Sequence, residues 1–202
     1  IMLASGEATG FRMNVDGRKG SSFNNVGILA NDSMYVFVEV TVDPNGGNQP
    51  LLIQDSVLFT VNGIRQSVLL EAYGQDVNLY KGGVTITKDS ILTANRPYLI
   101  YDSLVIAKGV SLNIEKGATF YMHDKASLIV HGSMNALGTL DEPITFRGDR
   151  LDYILNDILP YDRTPGQWGG ITFKADSYGN VWDNVIVRNG TSGVYCEPST
   201  PD

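Results

Sequence analysis

An apolar-x-apolar pair returns every eight residues along the second half of the chain. The pairs are Leu104/Ile106, Leu112/Ile114, Phe120/Met122, Leu128/Val130 and, after a skipped beat at Ala136/Gly138, Ile144/Phe146. Neither a helix nor an ordinary hairpin has that period. Alternation within each pair puts two side chains on one side of a short extended segment, and the fixed interval calls for tight turns between segments. The pattern predicts short strands that each bury two side chains and wind in one direction. Three such sides make a coil of about 24 residues, within the roughly 20–45 residues of solenoid repeats.

The first part of the chain follows a different rule. Phe11, Met13 and Val15 alternate with polar residues, and Val36, Val38, Val40 and Val42 form a second alternating run. Period-two alternation marks half-buried strands. Pro44-Asn45-Gly46-Gly47-Asn48 breaks the second run, and Asn62-Gly63 separates Val57–Val61 from Ile64–Leu70. Asn-Gly between two apolar runs predicts a type I′ hairpin turn, which needs positive φ at both central residues. Residues 1–83 are therefore expected to form an antiparallel β-sandwich and residues 84–202 a parallel β-helix, an all-β chain.

One stretch interrupts the rhythm. Leu151, Ile154, Leu155, Ile158 and Leu159 fall on one face of a helix, with Asp149 as N-cap and Pro160 as stop. The spacing predicts a short helix over about 150–159. One reading is a helix that lays its apolar stripe over the side of the solenoid. The other is that insertions in repeat proteins decorate the binding face, and Tyr161, Asp162, Arg163 and Trp168 follow this one at once.

The motifs also come in a telling order. The segments "SLVIAKGVSLNIEKGATFYM" (103–122), "SLIVHGSMNALGT" (127–139), "EPITFRGD" (142–149) and "WGGITF" (168–173) resemble right-handed, single-stranded parallel β-helix proteins of bacterial surfaces. Of these, the chain most resembles the exported surface lipoproteins of gut Bacteroidetes. The run "VFVEVTVDP" (36–44) is similar to a late strand of bacterial immunoglobulin-like modules. The resemblance implies an N-terminal immunoglobulin-like β-sandwich, then a right-handed parallel β-helix. It also implies an exported location: secreted, at the cell surface or anchored to an outer membrane.

Composition narrows the function classes. The chain has 202 residues, 43% of them hydrophobic and 18% charged, with a formal net charge of −7. An acidic balance argues against a nucleic-acid partner, which selects a basic face. No run approaches the roughly 20 apolar residues of a membrane-spanning helix. Cys196 is the single cysteine, so no internal disulfide is expected. The chain opens inside a strand-like run and ends at Pro201-Asp202 without a capping pattern, which reads as a piece of a longer protein.

Candidate chemistry follows from residue type and spacing. Tyr161, Asp162, Arg163, Trp168, Tyr178 and Trp182 are the candidate ligand-binding residues. Glycan recognition needs flat aromatic faces and planar hydrogen-bonding groups on a rigid surface. Trp168 carries a second reading, as a packed residue covering a coil edge before Gly169-Gly170. The only histidines, His123 and His131, lie eight residues apart, on neighbouring sides of a coil. No CxxC, HExxH or EF-hand spacing occurs, and no cofactor or metal is expected, a loose calcium cluster from Asp141, Glu142 or Asp149 being the alternative. Asp124 and Asp149, placed to stack on neighbouring coils beside Arg147, are the carboxylates a polysaccharide-cleaving enzyme would use. No catalytic motif of the β-helix lyases or hydrolases is present, and no catalytic residue is assigned.

Arg147-Gly148-Asp149 spells an integrin tripeptide and reads as a turn, and Asn189-Gly190-Thr191 fits a glycosylation acceptor. Asp-Ser followed by an aliphatic residue or Met recurs at Asp32, Asp55, Asp89 and Asp102. It is similar to the O-glycosylation consensus of exported Bacteroidetes proteins, and equally to a strand start, since both residues favour turns. The expected function is that of a non-enzymatic exported or cell-surface protein of bacteria acting as scaffold, adhesin or glycan-binding module, with polysaccharide or a host or bacterial surface glycan as partner. The alternatives are a lyase or glycoside hydrolase acting on acidic polysaccharide, and a structural spacer within a larger surface protein.

Overall fold

The computed structural model describes residues 1–43, 46–48, 51–151, 153–155 and 159–198. It divides into two compact units, Ile1–Asp76 and Val77–Asp202.

Among its described residues the first unit contains six strands: β1 (Met2–Leu3), β2 (Phe11–Val15), β3 (Arg18–Gly20), β4 (Val36–Val40), β5 (Leu51–Val61) and β6 (Ile64–Gly74). They form two antiparallel three-stranded sheets, in the orders β1-β5-β6 and β3-β2-β4. Alternation in β2 sends Phe11, Met13 and Val15 into a buried cluster with Leu3, Phe23 and Val57. The hairpin at Asn62-Gly63 is the one the dipeptide predicts, with φ of 51° and 82°. Its arms are longer than the apolar runs suggest, pairing in unbroken register from Val61↔Ile64 to Leu51↔Gly74. The valine run of β4 packs less tightly than its alternation implies: Val36 and Val40 are half-buried and Val38 is exposed.

Asp55 is the buried charge of this unit, 7% exposed. The Ser5 hydroxyl, the Ser5 amide (3.1 Å), the Thr9 hydroxyl (2.7 Å) and the Ser56 amide (2.7 Å) all donate to its carboxylate. Burial alone would raise its pKa. The donors outweigh burial and hold the group below the ordinary carboxylate value.

The second unit is a parallel β-solenoid of about five turns. Its first coil runs through β7 (Asn78–Tyr80), β8 (Val84–Ile86) and β9 (Ser90–Leu92), its second through β10 (Tyr98–Ile100), β11 (Ser103–Ile106) and β12 (Ser111–Ile114). The third comprises β13 (Thr119–Met122), β14 (Ser127–Val130) and β15 (Ser133–Leu137). In the fourth, β16 (Ile144–Gly148) is separated by an insertion carrying β17 (Tyr153–Leu155) and β18 (Leu159–Pro160) from β19 (Gly170–Phe173) and β20 (Val181–Asp183). The last described coil holds β21 (Val185–Val187) and β22 (Val194–Cys196). Like strands stack into three parallel sheets: β7-β10-β13-β16-β21, β8-β11-β14-β19-β22 and β9-β12-β15-β20.

Each expected pair points inward. Leu104 and Ile106 lie under Leu128 and Val130, Phe120 and Met122 under Phe146 and Gly148, and all except Gly148 belong to one buried cluster. At the skipped beat the inward pair is Met134/Ala136, stacked on Leu112/Ile114, with Gly138 just beyond the strand. Rings stack through the interior as well. Tyr98 lies 4.8 Å from Phe120, Phe120 4.5 Å from Phe146, and Phe146 6.2 Å from Trp182.

Two sequence-based boundaries shift. The solenoid opens with β7, ahead of the expected start at residue 84, because Asn78-Leu79-Tyr80 pairs in parallel with Tyr98-Leu99-Ile100. Its inward position at Asn78 is polar, so the strand lacks the apolar-x-apolar signature. The helix expected over about 150–159 is also corrected: Tyr153–Leu155 and Leu159–Pro160 pair as short antiparallel strands. Residues 152 and 156–158 of that stretch lie outside the described residues. A helix this short fixes several dihedrals for each early hydrogen bond and is marginal without a packed face, so periodicity over nine residues does not decide the outcome.

Candidate functional site

The sequence-selected residues separate into three environments. Trp168 belongs to the core: it is 1% exposed, and its indole Nε1 donates to the carbonyl of Arg188 at 2.7 Å. Its own carbonyl accepts the Thr191 amide at 2.8 Å. Trp168 therefore ties the fourth coil to the fifth and offers no free ring face to a ligand, in keeping with its packed reading.

Tyr161, Asp162 and Arg163 form a single 3-10 turn at the end of the insertion. Asp162 sits between two guanidinium groups, 3.1 Å from Arg147 and 3.0 Å from Arg188. Arg150 lies over the Tyr161 ring at 4.1 Å, whereas Arg163 is exposed. An asparagine anchors this turn. Asn189 Nδ2 donates to the carbonyls of Tyr161 (3.2 Å), Asp162 (2.8 Å) and Thr164 (3.0 Å), while its Oδ1 accepts the Gly148 amide at 3.3 Å. Gln167 Nε2 adds bonds to the Tyr161 and Thr164 carbonyls. The sequence singled out Asn189 only as a glycosylation acceptor. Its structural role depends on pairing 28 residues away in the chain, to Tyr161, which no local pattern announces.

Tyr178 and Trp182 line a cleft of about 320 Å³ together with Phe173, Lys174, Asn180 and Glu197. Trp182 forms part of its wall, packed between Phe146 (6.2 Å) and Phe173 (5.4 Å). Its indole N–H is buried and has no hydrogen-bond partner among the described residues. Tyr178 stands out at 69% exposed. Lys174 donates to Glu197, and that bond holds the Glu197 carboxyl below its ordinary pKa. Asn180 is fixed by its bond from the Met134 amide (2.8 Å) and by its own donation to Ser177 Oγ (3.0 Å). Phe173, Asn180 and Glu197 were not selected from sequence; only the parallel stacking of β19 on β22 brings Phe173 beside Cys196 and the following Glu197.

The histidines occupy two separate corners. His123, just after β13, meets Asp149 at 2.6 Å and lies tilted against the Tyr101 ring, 4.1 Å between ring centres. His131, just after β14, meets Asp176 at 3.0 Å. Asp176 is lowered below its ordinary pKa: desolvation opposes this, but the bond and charge of His131 and the charge of Lys108 prevail. The residue stacked toward Asp149 is thus His123 and not Asp124, which is exposed and near Lys125. The intervening coil takes 26 residues from Phe120 to Phe146. No group of three or more His, Cys, Asp or Glu is arranged to hold a metal among the described residues. Glu142 is ion-paired to Lys116. The Arg147-Gly148-Asp149 tripeptide spans the end of β16, with Arg147 held by Asp162 and Asp149 by His123. Two of the Asp-Ser aspartates bridge coils: Asp102 accepts the Gly82 amide and Asp89 the Ser111 amide.

Fold and site together define an all-β protein whose C-terminal unit is a parallel β-solenoid bearing an aromatic-lined cleft. It is similar to Protein bark beetle of Drosophila melanogaster, with 31% identity over 104 residues. That stretch is 49% of this chain and 3% of the fly protein, so the chain spans a small share of that relative. No family model matches the chain, and no solved structure matches it. No helix among the described residues is long and apolar enough to cross a membrane.

Proposed function

We propose that the chain acts without catalysis as part of an exported or surface-displayed protein, its solenoid a rigid scaffold that presents a glycan-binding cleft. The single observation that carries this reading is the cleft where Tyr178 stands exposed beside Trp182, Lys174, Asn180 and Glu197. Aromatic faces pack against the apolar side of sugar rings, and planar amide and carboxylate groups take their hydroxyls. Glu197 is the one carboxylate among the described lining residues, and its lowered pKa keeps it ionised. An ionised carboxylate accepts hydrogen bonds from sugar hydroxyls. Glycoside hydrolysis needs a second carboxyl group with a raised pKa, and the described lining supplies none.

Export and the finer family rest on the motif order, which resembles the right-handed β-helix surface proteins of bacteria, Bacteroidetes lipoproteins among them. Right-handed winding is also what parallel crossovers favour. For the first unit, an immunoglobulin-like module is the reading supported by two antiparallel sheets sharing one buried cluster. The chain is also similar over 104 residues to an insect protein, and the proposal commits to no source organism.

The test is a broad glycan array of plant, bacterial and animal polysaccharides, read with the intact chain and with Tyr178→Ala. A specific hit that weakens at least tenfold in the variant supports the reading. A blank array, or a hit indifferent to Tyr178, overturns it.

A further inference from the structure

Strand β6 is an edge. The order β1-β5-β6 leaves its outer side without a strand partner among the described residues, over all eleven residues from Ile64 to Gly74. Ile64, Val68, Leu69 and Tyr73 along it are each more than half exposed. Soluble proteins guard such edges with proline, lysine or a bulge. This strand has no proline or lysine, and its register with β5 is unbroken.

The hairpin fixes which groups are free. A two-residue type I′ loop makes Val61 and Ile64 a hydrogen-bonded pair, and in an antiparallel ladder such pairs alternate with non-bonded ones. Gln66, Val68, Leu70 and Ala72 therefore direct their backbone N–H and C=O toward β5, opposite Phe59, Val57, Asp55 and Ile53. Arg65, Ser67, Leu69, Glu71 and Tyr73 direct theirs outward.

We propose that two copies of this chain pair antiparallel across β6, about a two-fold axis at Val68. An isologous contact brings residue i of one copy opposite residue j of the other, and the reverse. With the axis at Val68, Arg65 lies opposite Glu71 of the second copy, and by symmetry the pair forms twice. Ser67 lies opposite Leu69, and Ile64 opposite Ala72. Arg65 has no ion-pair partner in its own chain among the described residues, and Glu71 accepts a single bond there, from Gln54 at 2.6 Å. Moving the axis to Ser67 or Leu69 sets Arg65 against Leu69 or Tyr73, and an axis at Glu71 sets like charges together. Opposite charges directly across a ladder stabilise it, and like charges destabilise it. The charge pattern thus selects one register, in which the exposed Ile64 and Val68 side chains also gain apolar neighbours.

Sedimentation of the intact chain across the micromolar range tests the association, and cysteine cross-linking tests the register. The expected result is a reversible dimer that Arg65→Glu weakens about tenfold, as two reversed charge pairs imply, and that Arg65→Glu/Glu71→Arg restores. In a Cys196→Ser background, Val68→Cys is expected to cross-link to its own copy, because a non-bonded pair at the axis sits about 4.5 Å apart between Cα atoms. Ser67→Cys is expected not to, its own copy lying beyond the roughly 7 Å limit. A monomer throughout, a dimer indifferent to Arg65→Glu, or a Ser67→Cys variant that cross-links more readily than Val68→Cys overturns the proposal. The variants lie on an exposed edge, so an unchanged melting temperature separates these outcomes from misfolding.

Discussion

Phe120 lies 4.5 Å from Phe146 between ring centres, their planes 15° apart, one coil above the other. Tyr98 continues the column on one side and Trp182 on the other. Offset stacks of this kind add about 0.5–1.5 kcal/mol beyond their buried area. Removing one ring therefore removes contacts in two directions.

Phe120→Ala is expected to destabilise the solenoid by about 3–5 kcal/mol, the range for emptying a buried aromatic site. Phe120→Leu, which keeps most of the volume, is expected to cost clearly less. Equilibrium urea unfolding followed by far-ultraviolet circular dichroism reads both. A loss below about 1 kcal/mol for the alanine variant contradicts the column.

Asn189 has a φ of 65° and spends its amide on three carbonyls of the 161–164 turn. The left-handed region favours Asn, and its Nδ2 supplies the Asp162 carbonyl and shares those of Tyr161 and Thr164 with Gln167. Asn189→Ala is expected to cost about 2 kcal/mol, with increased proteolysis at the insertion. Asn189→Asp is expected to be at least as harmful, since a carboxylate replaces a donor beside three oxygens. The same geometry predicts that protein folded and secreted from a eukaryotic host carries no glycan at Asn189. The exposed Asn31 of Asn31-Asp32-Ser33 is the internal comparison. Peptide mass spectrometry after deglycosylation reads each position.

Asp55 links pH to the stability of the first unit. Its folded pKa lies below the ordinary 3.8. Its contribution is therefore complete above the unfolded value and is lost as pH falls through the folded one. The gap in melting temperature between wild type and Asp55→Asn is expected to be constant from about pH 7 to pH 5 and to narrow below 3.8. A gap that widens in acid contradicts this sign.

Gly132 admits no side chain. A Cβ there would lie 2.1 Å from the Val110 carbonyl oxygen and 2.6 Å from that of Ala107, both backbone atoms of the coil beneath. Gly132→Ala is expected to cost at least about 1–3 kcal/mol, the range for overpacking, and to lower the melting temperature of the solenoid. Gly109→Ala meets open space but carries a φ of 75°, so its cost is expected to be smaller and to come from backbone strain alone. Calorimetry of the two variants separates the effects.

The solenoid was legible because its signal is local. Leu104/Ile106, Leu112/Ile114, Phe120/Met122 and Leu128/Val130 each declare an inward face within three residues, as Asn62-Gly63 declares its turn within two. The edges of the pattern were less so. Asn78–Tyr80 is a strand only because Tyr98–Ile100 lies beside it, and the apolar spacing around residue 155 suits a helix as well as the antiparallel pairing of Tyr153–Leu155 with Leu159–Pro160. The candidate binding residues divided for the same reason. Sequence proximity joined Trp168 to Tyr161–Arg163, yet the solenoid turned the indole inward and left the turn outside.

By itself the sequence determined the alternation that buries one side of each strand, the turns at glycine and asparagine, and hence a winding all-β chain. Those follow from backbone sterics and side-chain periodicity within a few residues. The tertiary structure alone decided which residue stands over which. Coils of 20 residues from Val84 to Leu104, 24 from Leu104 to Leu128 and 43 from Leu128 to Ile171 do not keep one interval. Only hydrogen bonding between neighbouring coils sets His123 against Asp149, Asn189 against Tyr161, and Phe173 beside Cys196 at the cleft.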